Sequence, residues 1–202
     1  AGIIETDVGK LDFGIRVSYK PQMIERADKT VNDALSSIKS GFNEDQNWRD
    51  IVDKLEVNKL LNKNIKNLSG GELQKIAILS TIMRDAELYM LDEPSANLDI
   101  EDRLIITDIL NSFIKTNKKA AIIVDHDLTF LDSITSRIIL FQGTPGKNGF
   151  VEGLLNKRDA LNRMLKNSDI TIRRDSETGR PRINTPGSRL DLEQKSEGEF
   201  FK

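Results

Sequence analysis

Residues 87–94, ELYMLDEP, decide how this chain folds, because an apolar burst of strand length closes there on two acids and a proline. So short a run of successive apolar positions reads as a strand buried on both faces. The pattern returns at residues 120–127, AAIIVDHD, and at 137–143, RIILFQG. A helix from about Ile100 to Lys115, capped by Asp99, separates the first two, and a short helix through Leu131 separates the last two. Strand, helix, strand, helix, strand implies a parallel sheet covered by helices, an α/β architecture. In such sheets chemistry gathers at the carboxyl ends of strands, which here carry Asp92, Glu93, Asp125, His126 and Asp127.

Working outward, LDFGIRVSY at residues 11–19 reads as a strand stopped by Pro21. Apolar residues then recur at three and four, first as Val31, Ala34, Leu35 and Ile38, then as Trp48, Ile51, Val52 and Leu55. The recurrence predicts amphipathic helices over 30–42 and 47–57, a helical insert after the first strand. Ser69 followed three residues on by Glu72 is the capping-box arrangement and predicts a third helix running to about Met83. Past the last strand, TPGKNG at 144–149 is a turn cluster, Leu154 to Leu165 can form one more helix, and residues 168–202 are polar, with too few apolar residues for a core of their own.

Composition narrows the function classes. Lys plus Arg number 30 against 32 Asp plus Glu, a net charge of -2 over 202 residues, so bulk charge gives no reason to expect a nucleic-acid or membrane-surface binder. With no cysteine and one histidine, disulfides, thiolate zinc, iron-sulfur ligation, thiol catalysis and a multi-histidine metal site are excluded within these residues. No apolar run approaches the length of a membrane span, and AGIIETDVGKLD has neither a basic start nor an apolar signal core, so the reading is a soluble, cytoplasmic protein. Opening on Ala1-Gly2 without methionine, the chain is expected to be a fragment or a gene product cut at its start.

Two motifs carry chemistry. Adjacent carboxylates at a strand end can take separate jobs, one of Asp92 and Glu93 serving a hard cation such as Mg2+ and the other polarising an attacking water, with strand alternation pointing them apart. The plainer reading of such a pair is a cap between strand and helix. LSGGE at 68–72 places Ser69, Gly70 and Gly71 at a helix start, where unpaired N–H groups and the helix dipole favour a phosphate. Alone, it is equally a helix cap.

Gln22 after a strand, LSGGE, a helix, LYMLDEP, SANLD and IIVDHD stand in the order and approximate spacing of the ATP-binding cassette ATPases, which the chain resembles. That resemblance implies ATP and Mg2+ as cofactors and a P-loop NTPase-like core, of which residues 1–143 are the C-terminal portion of a nucleotide-binding domain, with a helical signature subdomain at about 28–85. It implies that Gln22 reaches Mg2+ and the attacking water, that Asp92 is the Walker B ligand of Mg2+, and that Glu93 is the catalytic base. His126 would be the switch histidine on the γ-phosphate. Ser69, Gly70, Gly71 and Glu72 would be the signature, and Ser95 to Asp99, with Asn97, the D-loop. No G-x-x-x-x-G-K-[ST] phosphate loop occurs, so the core reads as N-terminally truncated and this piece alone is not expected to be ATPase-competent.

VSYKPQ, NLSGGELQKIAI, DEPSANLD and above all the tail ITIRRDSETGRPRINTPGSRLDLEQKSEGEFF narrow the resemblance to the class E, or RNase L inhibitor, family of ribosome-recycling ATPases. It implies a soluble twin-cassette ATPase that splits ribosomes, with partners in the first cassette, the small ribosomal subunit and release-factor-like proteins, and no membrane. Iron-sulfur clusters would belong to an N-terminal domain outside these residues. Residues 144–202 would be hinge material, through which Arg173, Arg174, Arg180 and Arg182 meet the other cassette and ribosomal RNA. Asn97 in place of the family's usual tyrosine, Asp125 in place of glutamate, and NTPGSRLD in place of a more basic stretch are departures. Competing readings are a transporter nucleotide-binding subunit and the C-terminal half of a DNA-repair or chromosome-organising ATPase, which would show coiled-coil heptads before LSGGE. A free-standing piece that only binds a partner is a third.

Overall fold

The computed structural model describes residues 14–144 and 146–202; the segment 11–13 of the first expected strand lies outside them. Strand β1 (Val17–Lys20) pairs in parallel with β2 (Leu88–Asp92), and β2 with β3 (Ala120–Val124), giving the order β1-β2-β3. The central strand is the apolar run LYMLD, and its Tyr89 and Leu91 are buried. Tyr89 packs edge-on against Phe113 at 5.3 Å between ring centroids and donates its hydroxyl to the Arg84 carbonyl, so the one polar atom of a buried ring is satisfied.

Between β1 and β2 lie helices α1 (Val31–Ile38) and α2 (Gln46–Lys54), capped by Thr30 and Asp45, then two short 3-10 turns, then α3 (Gly70–Ile82). Both early helices are shorter than the periodicity predicts. Phe42 is buried as its spacing implies, but it lies past the end of α1, where Gly41 takes a φ of +71°. Glu56, at φ +55°, likewise halts the chain after α2. Helix α3 buries Leu73, Gln74, Ile76, Ile78, Leu79 and Ile82, nearly its whole circumference, which makes it the axis of this unit. Helix α4 (Ile100–Thr116) follows β2, with the Asp99 carboxylate accepting from the Asp102 N–H at 2.8 Å, as the sequence predicts.

The chain divides into two compact units at Asp127/Leu128, earlier than the break expected after residue 143. The reason is the fate of RIILFQG. Rather than extending the parallel sheet, β4 (Arg137–Thr144) forms an antiparallel hairpin with β5 (Asn148–Asn156), while α5 (Leu128–Ile134) precedes it. The turn between the two strands is far too short for the crossover that parallel pairing needs. Because β5 runs to Asn156, helix α6 (Lys157–Asn167) begins there, on an Asn156 cap, and not at Leu154.

The polar tail is folded. Strands β6 (Ile172–Arg174) and β7 (Pro181–Ile183) pair antiparallel, and α7 (Arg189–Glu197) follows. Ile172, Phe200 and Phe201 share a small core with Leu161 and Leu165 of α6. The rest of the tail's interior is polar. Thr171 donates to Asp191 at 2.6 Å, Asn184 to Thr171 at 3.0 Å, and Gln194 to the carbonyls of Ile172 and Glu199 at 3.0 and 2.9 Å, all four side chains being buried. The Thr171 hydroxyl, aided by the Gly187 N–H and Lys195, holds the Asp191 carboxyl below the usual carboxylate range. In that range the unfolded chain binds the proton that the folded one refuses, so this contribution is present above about pH 4 and is lost on acidification below it. Melting curves recorded from pH 6 to pH 3 are therefore expected to show a shallower acid decline for Asp191→Asn than for the parent; equal slopes would remove Asp191 as the acid-sensitive group.

Candidate functional site

Parallel pairing brings the carboxyl ends of β1, β2 and β3 to one edge, with Lys20 opposite Leu91 and Asp92 opposite Val124. Asp92 is the last residue of β2, and its carboxylate lies 3.5 Å from the Tyr19 hydroxyl. Glu93 leaves the strand at φ +46°, so a left-handed kink, and not strand alternation, turns the two carboxyls apart. A glutamate before a proline resists that conformation twice over, since its Cβ disfavours positive φ and the following ring favours extended backbone. Across the kink, Glu93 Oε1 stands 3.5 Å from Nδ1 of His126, whose side chain is 77% exposed. Gln22 lies exposed in the bend that follows β1 at this same edge, without a hydrogen bond among the described residues.

The kink is held from three elements. The Glu93 N–H donates to the Val124 carbonyl at 2.7 Å. Gln74, buried in α3, donates to the Glu93 carbonyl at 2.7 Å. Lys20, 1% exposed, donates to the carbonyls of Asp92 at 2.7 Å, Pro21 at 3.2 Å and Glu93 at 3.4 Å. Burial pushes the Lys20 ammonium down from its usual value, against the opposing pull of Asp92, Asp125 and Glu93. The residue after β3 is tied in as well, because the Asp125 carboxylate accepts from the Ser95 N–H at 3.0 Å and its hydroxyl at 2.9 Å. Arg103 pairs with Asp127 and donates to the Leu98 carbonyl at 3.1 Å. His126 thus sits between two acids that are both fastened to the segment 95–103.

At the start of α3 the capping box is complete, Ser69 Oγ accepting from the Glu72 N–H at 3.2 Å and Glu72 accepting from the Ser69 N–H at 2.8 Å. Lys63, at 2.9 Å, holds the Glu72 carboxyl below its usual value, so that side chain is committed to the cap. The two glycines face Asn97. A Cβ on Gly71 would stand 2.9 Å from the Asn97 carbonyl oxygen, and one on Gly70 would stand 3.2 Å from the Asn97 side chain. Asn97 itself adopts φ +60°, a conformation asparagine tolerates better than tyrosine does. Of the expected site residues, Ser69, Gly70, Gly71, Glu72, Asn97 and Asp99 therefore group around the α3 start and the loop before α4, while Asp92, Glu93, His126 and Gln22 group at the strand ends. Gln74 joins the two groups.

The roles of Lys20, Gln74 and the Asp125 clamp are not legible in the sequence, although all three lie inside its recognisable motifs. The one available signal is a lysine closing an apolar strand before Pro21. Among the tail arginines, Arg174 pairs with Asp132 through both terminal nitrogens, at 2.7 and 2.8 Å, and lies over the Phe201 ring. Arg173 donates to Asn184 at 2.6 Å, and Arg182 pairs with Asp175 at 2.9 Å.

The ABC transporter family matches residues 7–96. Over its full length the chain is 45% identical to an uncharacterized ABC transporter ATP-binding protein of Methanocaldococcus jannaschii and 38% identical to translation initiation factor RLI1 of Saccharomyces cerevisiae, of which it covers 34% and 33%. It thus spans about a third of the length of these relatives. A structure titled as ribosome-bound archaeal Pelota and ABCE1 matches all of this chain with a TM-score of 0.93 at 40% identity, over 34% of that chain.

The close approach to Asn97 makes a sharp distinction between neighbouring glycines. Gly71→Ala is expected to lower stability by about 1–3 kcal/mol, because the Asn97 backbone must shift, whereas Gly70→Ala needs a smaller adjustment and costs less. Thermal unfolding of the two variants checks this, and equal tolerance would refute the contact.

Proposed function

The chain belongs to the class E ABC ATPases, the family of RNase L inhibitor and the RLI1 proteins, and from that premise we propose that it forms part of a twin-cassette ATP hydrolase that splits ribosomes into subunits. The observation that carries this reading is the placement of Asp92, Glu93 and His126 at one edge of a parallel sheet, with the α3 start tied to the same kink through Gln74.

The donor set fits magnesium held mainly by a nucleotide. Among the described residues no cluster of three or more acidic or histidine side chains could hold a metal unaided, and Mg2+ is commonly bound through one or two carboxylates, phosphates and water. Asp92 would hold it, with Gln22 beside it, and the ion when bound supplies charge neutralisation at the phosphates. Glu93 takes the proton of the water that attacks the γ-phosphorus, while the bond to the bridging oxygen breaks and ADP leaves. His126 donates to a γ-phosphate oxygen, and its contact with Glu93 keeps the two side chains at one locus.

A phosphate loop must come from outside residues 1–202, which contain none. The outer edge of β3 is unpaired among the described residues, and its Ile122 and Val124 are 38% and 59% exposed, so a strand bearing that loop has a place to add. Ser69, Gly70 and Gly71 would meet the γ-phosphate of nucleotide held on the first cassette, with Asn97 and Asp99 lining that composite site. ATP binding closes the two cassettes on each other, which supplies force, and hydrolysis reopens them. The partners in this reading are the small ribosomal subunit and release-factor-like proteins, with ribosomal RNA and the first cassette meeting residues 144–202 through Arg173 and the exposed Arg174, Arg180 and Arg182. No helix among the described residues is long and apolar enough to cross a membrane.

In the full-length protein, Glu93→Gln is expected to cut phosphate release at this site by about 10²–10⁴-fold while cassette closure persists; undiminished turnover would sink Glu93 as the base. Ser69→Arg, which fills the α3 start, should abolish ribosome splitting in a sucrose-gradient assay, and splitting that survives it would count against a composite site.

A further inference from the structure

We propose that Lys20 is a positioning residue, which holds the left-handed kink after β2 through the carbonyls of Pro21, Asp92 and Glu93 and so aims the Glu93 carboxylate. The inference rests on the reading of Glu93 as the base. Three features of the geometry carry it. First, the ammonium is buried yet has no carboxylate within salt-bridge distance among the described residues; its three N–H groups meet three main-chain oxygens, two of them belonging to Asp92 and Glu93. A buried charge spent on neutral carbonyls is a poor way to gain stability, because an apolar side chain of similar length would pack there without desolvating a charge. Second, the segment it holds is one that local preferences oppose, a glutamate at φ +46° before a proline, and such conformations persist only when their surroundings over-determine them. Third, Gln74 reaches the same Glu93 carbonyl from α3, so the kink is gripped from β1 and from the helix that opens with Ser69 to Glu72. Lys20 closes the strand that leads to Gln22, and one side chain therefore sets the spacing between the Gln22 bend and the acidic pair.

The test is a double-mutant cycle in the full-length protein, with ATP turnover and amide hydrogen exchange as readouts. Lys20→Met should lower kcat about 10²-fold with little change in KM for ATP, since misplacement of a reacting group by about an ångström has that effect. Added to Glu93→Gln, it should cost nothing more, because both changes act through one carboxylate. Exchange of the Glu93 amide, which is bonded to Val124, should quicken by about tenfold as the kink loosens. An unchanged kcat in Lys20→Met, or losses that multiply in the double variant, would overturn the proposal. If Lys20→Met does not fold, Gln74→Met carries the same cycle from the other grip: a loss of kcat that vanishes on Glu93→Gln supports the kink as the positioning device, and an unchanged kcat or multiplying losses overturn it. Should Glu93→Gln alone retain full turnover, the base assignment falls, and the amide exchange then decides the positioning role separately: unaltered exchange refutes it.

Discussion

A single residue forced out of the β conformation sets where the candidate groups of this molecule lie. Had β2 simply continued, Glu93 would have followed Asp92 onto the opposite face of the sheet, away from His126. The left-handed turn at Glu93 instead leaves Asp92 at the strand end and brings the next carboxyl beside the histidine that follows β3. A glutamate before proline does not take that shape by preference. It takes it because Val124, Gln74 and Lys20 bind its main chain from three separate elements. The parallel sheet, the buried helix α3 and the order of the strands all serve to deliver those three partners to one point.

The same economy links the two groups of candidate residues. Glycines at a helix start invite a phosphate reading, and the open N–H groups of α3 permit it. Their spatial reason within this chain is nevertheless Asn97, whose side chain faces Gly70 and whose main chain would have to shift for a Cβ at position 71. Nucleotide contact and internal packing are compatible demands on one residue type, and the loop before α4 is packed against the α3 start. That loop is also fastened to Asp125 through Ser95, so the α3 start and the residue before His126 belong to one packed and hydrogen-bonded cluster.

The tail shows how polar composition can mislead. Counted by apolar residues, 168–202 could not fold alone, and it does borrow Leu161 and Leu165 for its hydrophobic contacts. Its order comes from Thr171, Asn184, Asp191 and Gln194, each satisfied by another or by main chain. A buried network of this kind tolerates no missing member, because an unpaired polar group in the interior costs more than the pair contributes. Of the segments that make the tail distinctive as sequence, GRPRIN supplies Asn184 to that interior, LEQK supplies Gln194, and GEFF supplies Phe200 and Phe201. Of the tail arginines, Arg173 donates to Asn184, Arg174 pairs with Asp132 and Arg182 with Asp175, so each also holds a neighbour in place.

Residue order alone determined the features that depend on near neighbours. The Ser69 to Glu72 box, the Asp99 cap, the apolar strand 88–92 and the family resemblance of the motifs are all local patterns, since capping and burial periodicity act over one or two turns. RIILFQG went astray because a strand's partner is chosen by the length of the turn beyond it and by contacts that no window of residues contains. Lys20 and Gln74 stayed silent for the same reason: their side chains act on a carbonyl far away in sequence, and only the packing of β1, β2 and α3 decides that the distance closes. Which residues could do chemistry was legible from their types and spacing; how they are held in place was decided by the tertiary structure, because hydrogen bonds between distant segments exist only once the segments have met.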